Sequence, residues 1–408
     1  MLQLSKFPVK TLKSAPKISD NISTSHLLQA GFIRQEMAGA YNYLPLWLKV
    51  LRKIENIVRE EMNAIWAQEI LMSALWSREH WMETGRWDVV DVLFKLPAAE
   101  WKEYALNPTH EELVTPLMKE FIQSYKDLEF WVYQIQNKFR NEKRAKSWLL
   151  RGREFLMKDL YSFHTSEEKL LQYYENVKIA YRKVYDRLWI GKDTYETISW
   201  GGDFTTLNSH EYQTVLSIGE DNIYICQDCW VSHNEELINL ETWFVCQKCG
   251  SKNHKIYKAS EVGNIFPLMT KFTDAFDVKY TDADGKTNMV YMGCYGIGIS
   301  RLMWVIAEYF SDEKWLVWPE NIAPATHYII VMWENFDTAK KLAEILEKEG
   351  KEVIIDDREK VWFWQKASDA DLLWIPYRIV VSDKTLEAGW YELKQRLSQE
   401  TQIISLDK

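Results

Sequence analysis

The segment Phe139–Asp159 reads FRNEKRAKSWLLRGREFLMKD, and the segment Gly293–Arg301 reads GCYGIGISR. The first predicts two strands joined by a basic loop, and the second predicts a Gly-rich turn that leads into a helix. Because a guanidinium donates bidentately to a phosphate or a carboxylate, Arg140 and Arg301 are predicted to hold a bent triphosphate between them. Phe155, on the returning strand, would stack on the adenine. The chain has no P-loop or nucleotide GxGxxG fingerprint, so this ATP site is of another design.

The constellation resembles motifs 2 and 3 of the class II aminoacyl-tRNA synthetases. Other stretches resemble bacterial prolyl-tRNA synthetases, and the match extends over essentially the whole chain. It is poor against the threonyl, seryl and glycyl relatives. The further stretches that carry the resemblance are IRQEMAGAYNYLP (Ile33–Pro45), NPTHEE (Asn107–Glu112), LLRGREFLMKDLYSFH (Leu149–His164), SHEYQ (Ser209–Gln213) and DADLLWIPYRIVVSDKT (Asp369–Thr385).

The resemblance implies a role for each residue of the ATP site. Arg140 and Arg301 are the predicted catalytic residues, because they would stabilise the charge that develops when a carboxylate attacks the α-phosphate in line. No protein nucleophile is needed, and Mg²⁺ is the expected companion of the phosphates. Taken singly, each arginine is more often a solvated surface residue, and only their order and spacing favour the site. The predicted ATP-binding residues are Arg140, Glu142, Arg151, Phe155, Gln213, Gly296, Gly298 and Arg301.

Proline is the amino acid that the resemblance implies. Thr109 and Glu111 match a T-x-E loop that binds the substrate α-amino group, and the SHEYQ segment would line the amino-acid pocket. The alternative for Thr109 is a helix N-cap, and for SHEYQ a polar loop or exposed strand. Core packing is nearly as good an explanation of Met157. The predicted proline-binding residues are Thr109, Glu111, Arg140, Met157, Tyr161, Ser209 and His210.

Many bacterial members carry an editing domain inserted between motifs 2 and 3. A slot shaped for proline cannot strongly exclude the smaller alanine, since missing methylenes are worth only about 1–3 kcal/mol. Here the interval from Asp159 to Gly293 is too short for such an insertion. We therefore expect no editing domain within this chain.

Part of that interval holds two C-x-x-C pairs. Cys226, Cys229, Cys246 and Cys249 have the spacing of a tetrahedral Cys₄ zinc ribbon, and we expect them to bind a structural zinc ion. Disulfides or a redox pair are the alternatives, and both are less favoured in a reducing compartment. Cys294, in motif 3, is expected to be packed and not reactive.

The hydrophobic patterns predict two regions of different architecture. An amphipathic helix is predicted over residues 46–62, followed by strands near 70–75, 90–96, 104–106, 132–139 and 153–161 with few long helices between them. This favours a mainly antiparallel sheet. From about residue 323 a βαβαβ pattern predicts a parallel α/β domain. The fold class is thus an α+β class II core over 1–322, with a zinc-ribbon-like insert at 222–255, and a C-terminal α/β anticodon-binding domain over 323–408.

The resemblance implies a tRNA partner, tRNA(Pro), and a homodimer. By analogy Asp357, Arg358 and Lys366 would meet the anticodon, although a salt-bridged helix face explains them equally well. The predicted helix over 46–62 resembles motif 1, which builds the dimer interface. An ordinary core helix explains its pattern equally well.

Composition agrees with a cytoplasmic protein and does not itself indicate RNA binding. The chain of 408 residues has a net charge of −9, so RNA contacts would have to come from local basic patches. It has no apolar run of membrane-spanning length, and its basic N-terminus lacks the apolar core of a signal peptide. The rival functions are a catalytically dead, RNA-binding paralogue and a class II enzyme that charges another amino acid.

Tryptophan is unusually frequent, with 20 residues against 16 glycines. Several tryptophans stand where the local chemistry favours glycine. Trp230 follows the first C-x-x-C pair, whereas Gly250 follows the second, at a position that commonly has positive φ. Either the protein is rich in aromatic surface patches, or its gene uses UGA codons that the source organism reads as glycine. The suspect positions include Trp47, Trp148, Trp230, Trp362, Trp364 and Trp374, whereas Trp81, Trp87 and Trp318 are expected to be genuine.

Overall fold

The computed structural model describes residues 1–8, 10–14, 22–143, 150–238, 244–311, 316–332, 335–387, 389–396, 398 and 400–405. These residues form two compact units. The first comprises Met1–Glu36, Tyr41–Lys53 and Ile306–Lys408, and the second comprises Met37–Ala40 and Ile54–Val305. The domain boundary between residues 322 and 323 divides the chain differently and stays a prediction.

Ten α-helices lie in the described residues, and none of those searched is both long and apolar enough to cross a membrane. They are α1 (Ile22–Gln29), α2 (Pro45–Ala64), α3 (Arg78–Glu83), α4 (Glu111–Lys119), α5 (Glu167–Arg187), α6 (Lys271–Ala275), α7 (Ile299–Phe310), α8 (Phe336–Lys348), α9 (Phe363–Leu372) and α10 (Asp383–Glu387).

The strands of the same residues are β1 (Leu2–Gln3), β2 (Ile33–Met37), β3 (Ala40–Tyr43), β4 (Gln68–Glu69), β5 (Leu75–Ser77), β6 (Phe94–Pro97), β7 (Glu103–Leu106), β8 (Phe130–Phe139), β9 (Glu154–His164), β10 (Thr194–Trp200), β11 (Asn208–Val215), β12 (Asp221–Cys226), β13 (Ser232–Asn234), β14 (His254–Met269), β15 (Lys279–Thr281), β16 (Thr287–Met289), β17 (Tyr291–Gly298), β18 (His327–Val331), β19 (Val353–Asp356), β20 (Tyr377–Val381), β21 (Trp390–Gln395) and β22 (Thr401–Ser405).

A nine-stranded sheet is the centre of the second unit. Its order is β11-β10-β13-β12-β14-β17-β9-β8-β4. The pairs are antiparallel except for β10 with β13 and β4 with β8. The predicted antiparallel sheet is therefore confirmed. Strand β9 lies between β8 and β17, and its residues from Lys158 to His164 are all buried, as expected for a central strand.

The predicted strand over residues 70–75 is wrong. Only β4 and the start of β5 flank this stretch, because side chains of β8 satisfy its backbone in place of a strand ladder. Gln134 Oε1 accepts from the Met72 amide at 3.1 Å, and Gln136 Nε2 donates to the Met72 carbonyl at 2.6 Å. A strand would have used both groups in ladder hydrogen bonds.

The long helix α5 was not predicted. Its 21 residues begin after Ser166, whose hydroxyl accepts from the Lys169 amide, as an N-cap does. Four of its eight buried residues are tyrosines, so aliphatic residues mark only half of its buried stripe. The helix packs on β9, β14 and β17.

The first unit contains a six-stranded sheet of order β1-β19-β18-β20-β21-β22. Strands β19, β18 and β20 are parallel, and helices α8 and α9 connect them in the βαβαβ order that the sequence predicts. Ile329 of β18 is fully buried in the core between this sheet and α8, where it lies with Leu342, Val353 and Ile379.

Helix α2 contains the predicted amphipathic helix. Its apolar face is buried within the chain itself. An ordinary core helix is thus sufficient to explain the pattern, and the dimer remains a prediction. The buried residues of this face are Leu46, Trp47, Val50, Leu51, Ile54, Ile57, Val58 and Met62.

We expect Ile329→Ala to lower the free energy of unfolding by about 2–5 kcal/mol, because it leaves a cavity in a fully buried site. Ile345→Ala on α8 is the matched control. Ile345 is 54 % exposed, so its loss should change stability by no more than about 0.5 kcal/mol. Urea unfolding followed by circular dichroism measures both, and equal effects would contradict the assigned core.

Candidate active site

The motif 2 and motif 3 residues meet because their strands are neighbours. In the antiparallel register of β9 and β17, Met157 pairs with Gly298 and Asp159 with Gly296. A cavity of about 210 Å³ opens above this junction. The predicted site residues that line it are Thr109, Glu111, Arg140, Glu142, Arg151, Phe155, Met157, Gly296, Gly298 and Arg301.

Two glycines on the strands beneath this cavity matter for different reasons. A Cβ added at Gly296 would lie 3.7 Å from Met157 Sδ, an ordinary contact, so its side chain would occupy cavity space without a clash. The steric requirement is stronger at Gly263 on β14, where a Cβ would lie 2.4 Å from the Tyr185 hydroxyl and 3.0 Å from the Gly296 carbonyl oxygen. Close approach of β14, β17 and α5 therefore depends on Gly263.

Two guanidinium groups face each other across the cavity. The guanidinium of Arg140 lies over the ring of Phe155, 5.1 Å from its centroid. Burial lowers the pKa of Arg140, and the positive charge of Arg301 lowers it further. Arg301 is held by Glu261, since its Nη1 donates to Glu261 Oε2 at 3.0 Å and its Nε donates to the Leu150 carbonyl at 3.0 Å. The two guanidinium groups thus repel each other, and an anion bound between them would offset that repulsion.

A buried carboxylate also lines the cavity. Glu111 is fully buried at the first turn of α4. It accepts a hydrogen bond from the Thr109 hydroxyl, and Cys294 Sγ donates to its other oxygen at 2.9 Å. Burial and the nearby Glu111 carboxylate raise the pKa of Cys294 well above its usual value, so the thiol stays protonated and donates. With two lone pairs used, Glu111 can still accept from an ammonium group in the cavity.

The N-cap alternative for Thr109 is wrong. The residue that precedes α4 is His110, without a side-chain cap, and the Thr109 hydroxyl is used on Glu111 instead. The neighbouring Glu112 faces elsewhere. Arg86 Nη1 donates to its Oε1 at 2.6 Å, in a buried ion pair that also places the Arg86 guanidinium 4.9 Å from the ring of Phe204 on the cavity wall.

The SHEYQ segment lies on β11, where successive side chains point to opposite faces. His210 points to α5, and its Nδ1 lies 2.8 Å from the Tyr174 hydroxyl. Ser209 is fully buried and donates to the Trp200 carbonyl at 3.1 Å. Gln213 donates to Glu211 at 2.8 Å and to Asp221 at 2.9 Å. None of the three SHEYQ residues predicted as ligands is among the described residues that line the cavity.

Tyr161 is likewise set behind the cavity wall. Its hydroxyl donates to Asp159 Oδ2 at 2.9 Å and accepts from the His110 amide at 3.1 Å. It can therefore position Asp159 and the start of α4 without being part of the lining.

Asp159 is a lining residue that the sequence indicated only as the last position of the motif 2 spacing. Lys138 Nζ lies 2.6 Å from its Oδ1, and both side chains are buried. Burial alone would raise the pKa of Asp159, but Lys138 and His110 lower it below its usual value. The carboxylate thus stays ionised beneath the cavity.

Other lining residues carry no local signal in the sequence. They come from β14 and from the loop before β11, and their place depends on pairing between distant strands. Glu261 and Asn264 supply polar atoms, and the rings of Phe204 and Phe266, 4.8 Å apart, supply an apolar wall.

The residues predicted to meet the anticodon are engaged in internal contacts of the first unit. Arg358 donates to Asp356 at 2.7 Å and to Asp369 at 2.7 Å. Lys366 Nζ is buried and donates to the Val331 carbonyl at 2.7 Å. Asp357 accepts from the Ser5 amide and hydroxyl. These contacts support the salt-bridge explanation for Arg358. Lys366 is held by backbone carbonyls instead.

The four cysteines of the C-x-x-C pairs form one cluster. Their Sγ atoms all lie within 4.8 Å of one another, with Cys226 and Cys249 3.6 Å apart and Cys229 and Cys246 3.5 Å apart. A tetrahedral shell with Zn–S bonds of about 2.3 Å separates its sulfurs by about 3.8 Å. The cluster therefore fits zinc, and four thiolates leave no position for a substrate.

Comparisons with known proteins agree with this geometry. Residues 94–310 match the model of the tRNA synthetase class II core domain (G, H, P, S and T), and residues 326–408 match the anticodon binding domain. The proline–tRNA ligase of Anaplasma phagocytophilum is 34 % identical over 426 aligned residues, with 100 % of this chain and 98 % of the relative covered. The chain belongs to the prolyl-tRNA synthetase family.

Other prolyl-tRNA synthetases differ in length. The proline–tRNA ligase of Thermotoga maritima is 31 % identical over 544 aligned residues, with 96 % of this chain and 93 % of the relative covered. Because the present chain has 408 residues, that relative contains stretches without a counterpart here. The fold matches a crystal structure of prolyl-tRNA synthetase from Cryptosporidium parvum, complexed with L-proline and AMP, at a TM-score of 0.77 and 17 % identity, covering 97 % of this chain and 75 % of that one.

We expect Cys226→Ser to abolish zinc binding, because three thiolates no longer complete the tetrahedral shell. Zinc content per chain, measured by elemental analysis of the purified protein, checks this. Cys294→Ser is the control, since Cys294 lies outside the cluster and should leave the zinc content unchanged. Full zinc in the Cys226 variant would contradict the assignment.

Proposed function

We propose that this protein activates proline with ATP to give prolyl-adenylate and pyrophosphate, and then transfers the prolyl group to tRNA(Pro). The observation that carries the proposal is one cavity lined by two guanidinium groups and by a buried carboxylate that already accepts two hydrogen bonds. That arrangement would hold a triphosphate and an ammonium group in the same cavity. The membership of the prolyl-tRNA synthetase family supports proline as the amino acid.

In the activation step the proline carboxylate attacks the α-phosphorus, and pyrophosphate leaves in line. Arg140 can donate to the carboxylate and to the α-phosphate together, which aligns the two reacting groups. Arg301 neutralises charge at the distal phosphates. Since Glu261 and the Leu150 carbonyl already hold Arg301, little reorganisation is needed as charge develops. Adenine would stack on the ring of Phe155, which lines the cavity and has the Arg140 guanidinium over it.

Mg²⁺ would accompany the phosphates, and the carboxylates beside Arg301 suit it because it prefers oxygen ligands. Glu261 lines the cavity. Behind it, burial and the charge of Glu261 raise the pKa of Glu211 to about 7. Glu261 and Glu211 would hold the ion, which would supply positive charge to the phosphates and offset the repulsion between the two carboxylates.

Recognition of proline would use Glu111 and the apolar wall. The protonated secondary amine has two N–H donors, and Glu111 can accept them without losing its bonds from Thr109 and Cys294. Phe204, Phe266 and Met157 would enclose the ring. Size alone gives only about 1–3 kcal/mol against alanine. Since we expect no editing domain in this chain, mischarged tRNA would be left to another protein.

The remaining parts of the proposal rest on the domain matches. The C-terminal domain would contact the anticodon stem of tRNA(Pro). A homodimer in the cytoplasm is the expected assembly and location. Sedimentation of the purified protein alone tests whether it forms a dimer, and sedimentation with tRNA(Pro) tests whether it binds the tRNA.

Arg140→Ala should lower proline-dependent ATP–pyrophosphate exchange by about 10²–10³-fold or more, because the developing charge loses a preorganised donor. Lys143→Ala is the control, since its side chain is 85 % exposed nearby and should exchange normally. Near-normal exchange in the Arg140 variant would reject the assigned site. Repeating the wild-type assay with all twenty amino acids separates the rivals: no exchange indicates a dead paralogue, and exchange with another amino acid indicates a different specificity.

Glu111→Gln should raise the KM for proline by about 10–100-fold, because a charge-assisted hydrogen bond to the amine is lost. The KM for ATP should change little. Glu120→Gln, exposed just beyond the same helix, is the matched control. An unchanged KM for proline would place the amino group elsewhere in the cavity.

A further inference from the structure

Five tryptophans have a backbone conformation that tryptophan strongly disfavours. The described residues include nine non-glycine residues with positive φ, and five of them are tryptophan. Since tryptophan makes up only 20 of the 408 residues, this is far above its share. A bulky residue is an outlier in the left-handed region, whereas glycine adopts it without steric cost. The five are Trp66 (φ 67°), Trp101 (φ 60°), Trp189 (φ 64°), Trp230 (φ 62°) and Trp374 (φ 53°).

The two cysteine turns provide an internal comparison. Trp230 donates its amide to the Cys226 carbonyl at 3.0 Å, and Gly250 donates its amide to the Cys246 carbonyl at 2.8 Å. In the first turn the Cys226 amide also donates to the Val231 carbonyl at 3.0 Å. In the second turn the Cys246 amide donates to the Ser251 carbonyl at 2.8 Å. The φ values are 62° at Trp230 and 73° at Gly250. One turn thus occurs twice, with glycine in one copy and an exposed tryptophan in the other.

Helix ends give a second comparison. In the motif that ends many helices, the residue with positive φ donates to a carbonyl three residues back, and its successor donates to one five residues back. Seven helix ends among the described residues show this pattern with N···O distances of 2.8–3.4 Å. The residue with positive φ is glycine at Gly31, Gly85 and Gly350, tryptophan at Trp66, Trp189 and Trp374, and aspartate at Asp277.

Tryptophans that pack in the core are different. Trp81, Trp87 and Trp318 are at most 3 % exposed and are absent from the positive-φ set, although all three lie among the described residues. By contrast, Trp66 is 81 % exposed and Trp101 fully exposed, so burial of their rings does not compensate for the strain. Trp374 differs from them, because it is only 6 % exposed and the Arg396 guanidinium lies 4.4 Å from its ring centroid. The five tryptophans with positive φ therefore share a backbone conformation that suits glycine, and not a common degree of burial.

We propose that Trp66, Trp101, Trp189, Trp230 and Trp374 are encoded by UGA, and that the cell that makes this protein inserts glycine there. The partner this requires is a glycine-accepting tRNA that reads UGA. We restrict the proposal to these five positions. Trp47, Trp362 and Trp364 lie outside the positive-φ set, so conformation does not assign them, and Trp148 lies outside the described residues. None of the five lines the cavity, so the proposed enzymatic activity does not depend on this inference.

The codons and the native protein test the proposal together. We expect UGA at the five positions and UGG at Trp81, Trp87 and Trp318. Peptide mass spectrometry of the protein isolated from its own cells should find glycine at the five. UGG codons at the five positions overturn the proposal, and so does tryptophan in the native peptides, which would mean that UGA is read as tryptophan.

Recombinant variants give an independent readout. Trp189→Gly and Trp230→Gly should each raise the Tm by about 2–4 °C relative to recombinant protein that contains all five tryptophans, because they relieve backbone strain at exposed positions. Gly250→Trp, the mirror change in the second cysteine turn, should lower Tm. Trp81→Gly should also lower Tm through loss of packing. A fall in Tm for both Trp189→Gly and Trp230→Gly would overturn the conformational argument.

Discussion

The site depends on holding two like charges close together in the absence of a ligand. Arg140 and Arg301 face one small cavity, and their mutual repulsion contributes to the lowered pKa of Arg140. Glu261 offsets this by binding Arg301, and the Phe155 ring supports Arg140 from below. An enzyme that stabilises charge in a transition state must keep its donors fixed beforehand, at a cost to its own stability. The paired strands β14, β17 and β9 supply that rigidity.

The same reasoning explains the buried charges beneath the cavity. Asp159 is ionised, because it forms an ion pair with Lys138 and accepts hydrogen bonds from Gln134 and Tyr161. A buried carboxylate with such partners cannot move without losing them, because each unpaired group would pay its desolvation cost. Glu111 is held in a similar way by Thr109 and Cys294. The cavity therefore presents both held guanidinium groups and a held carboxylate, so it offers fixed partners for a phosphate group and for an ammonium group.

The parts of the fold and site that could be predicted are those written in short local patterns. Arg140 and Phe155 flank one hairpin, and each cysteine pair forms its own turn. The role of Glu261 could not be predicted, because it arises from the register of β14 against distant strands. The SHEYQ segment shows a related limit, since a strand directs alternate side chains to opposite faces and cannot present them all to one cavity. Helix α5 was missed because tyrosines form half of its buried stripe and interrupt the aliphatic pattern.

The strained residues are informative through their location. Strain stored for function gathers at active sites, where the surroundings impose it. None of the described residues that line the cavity has positive φ. The strained tryptophans instead end helices α2, α5 and α9, close the loop between β6 and β7, and complete a cysteine turn. At such places the backbone path is set by the element that stops there, and the side chain contributes little. This backbone strain lies outside the site and recurs at one residue type. Its cause is therefore the type of residue at these positions, and not the function of the protein.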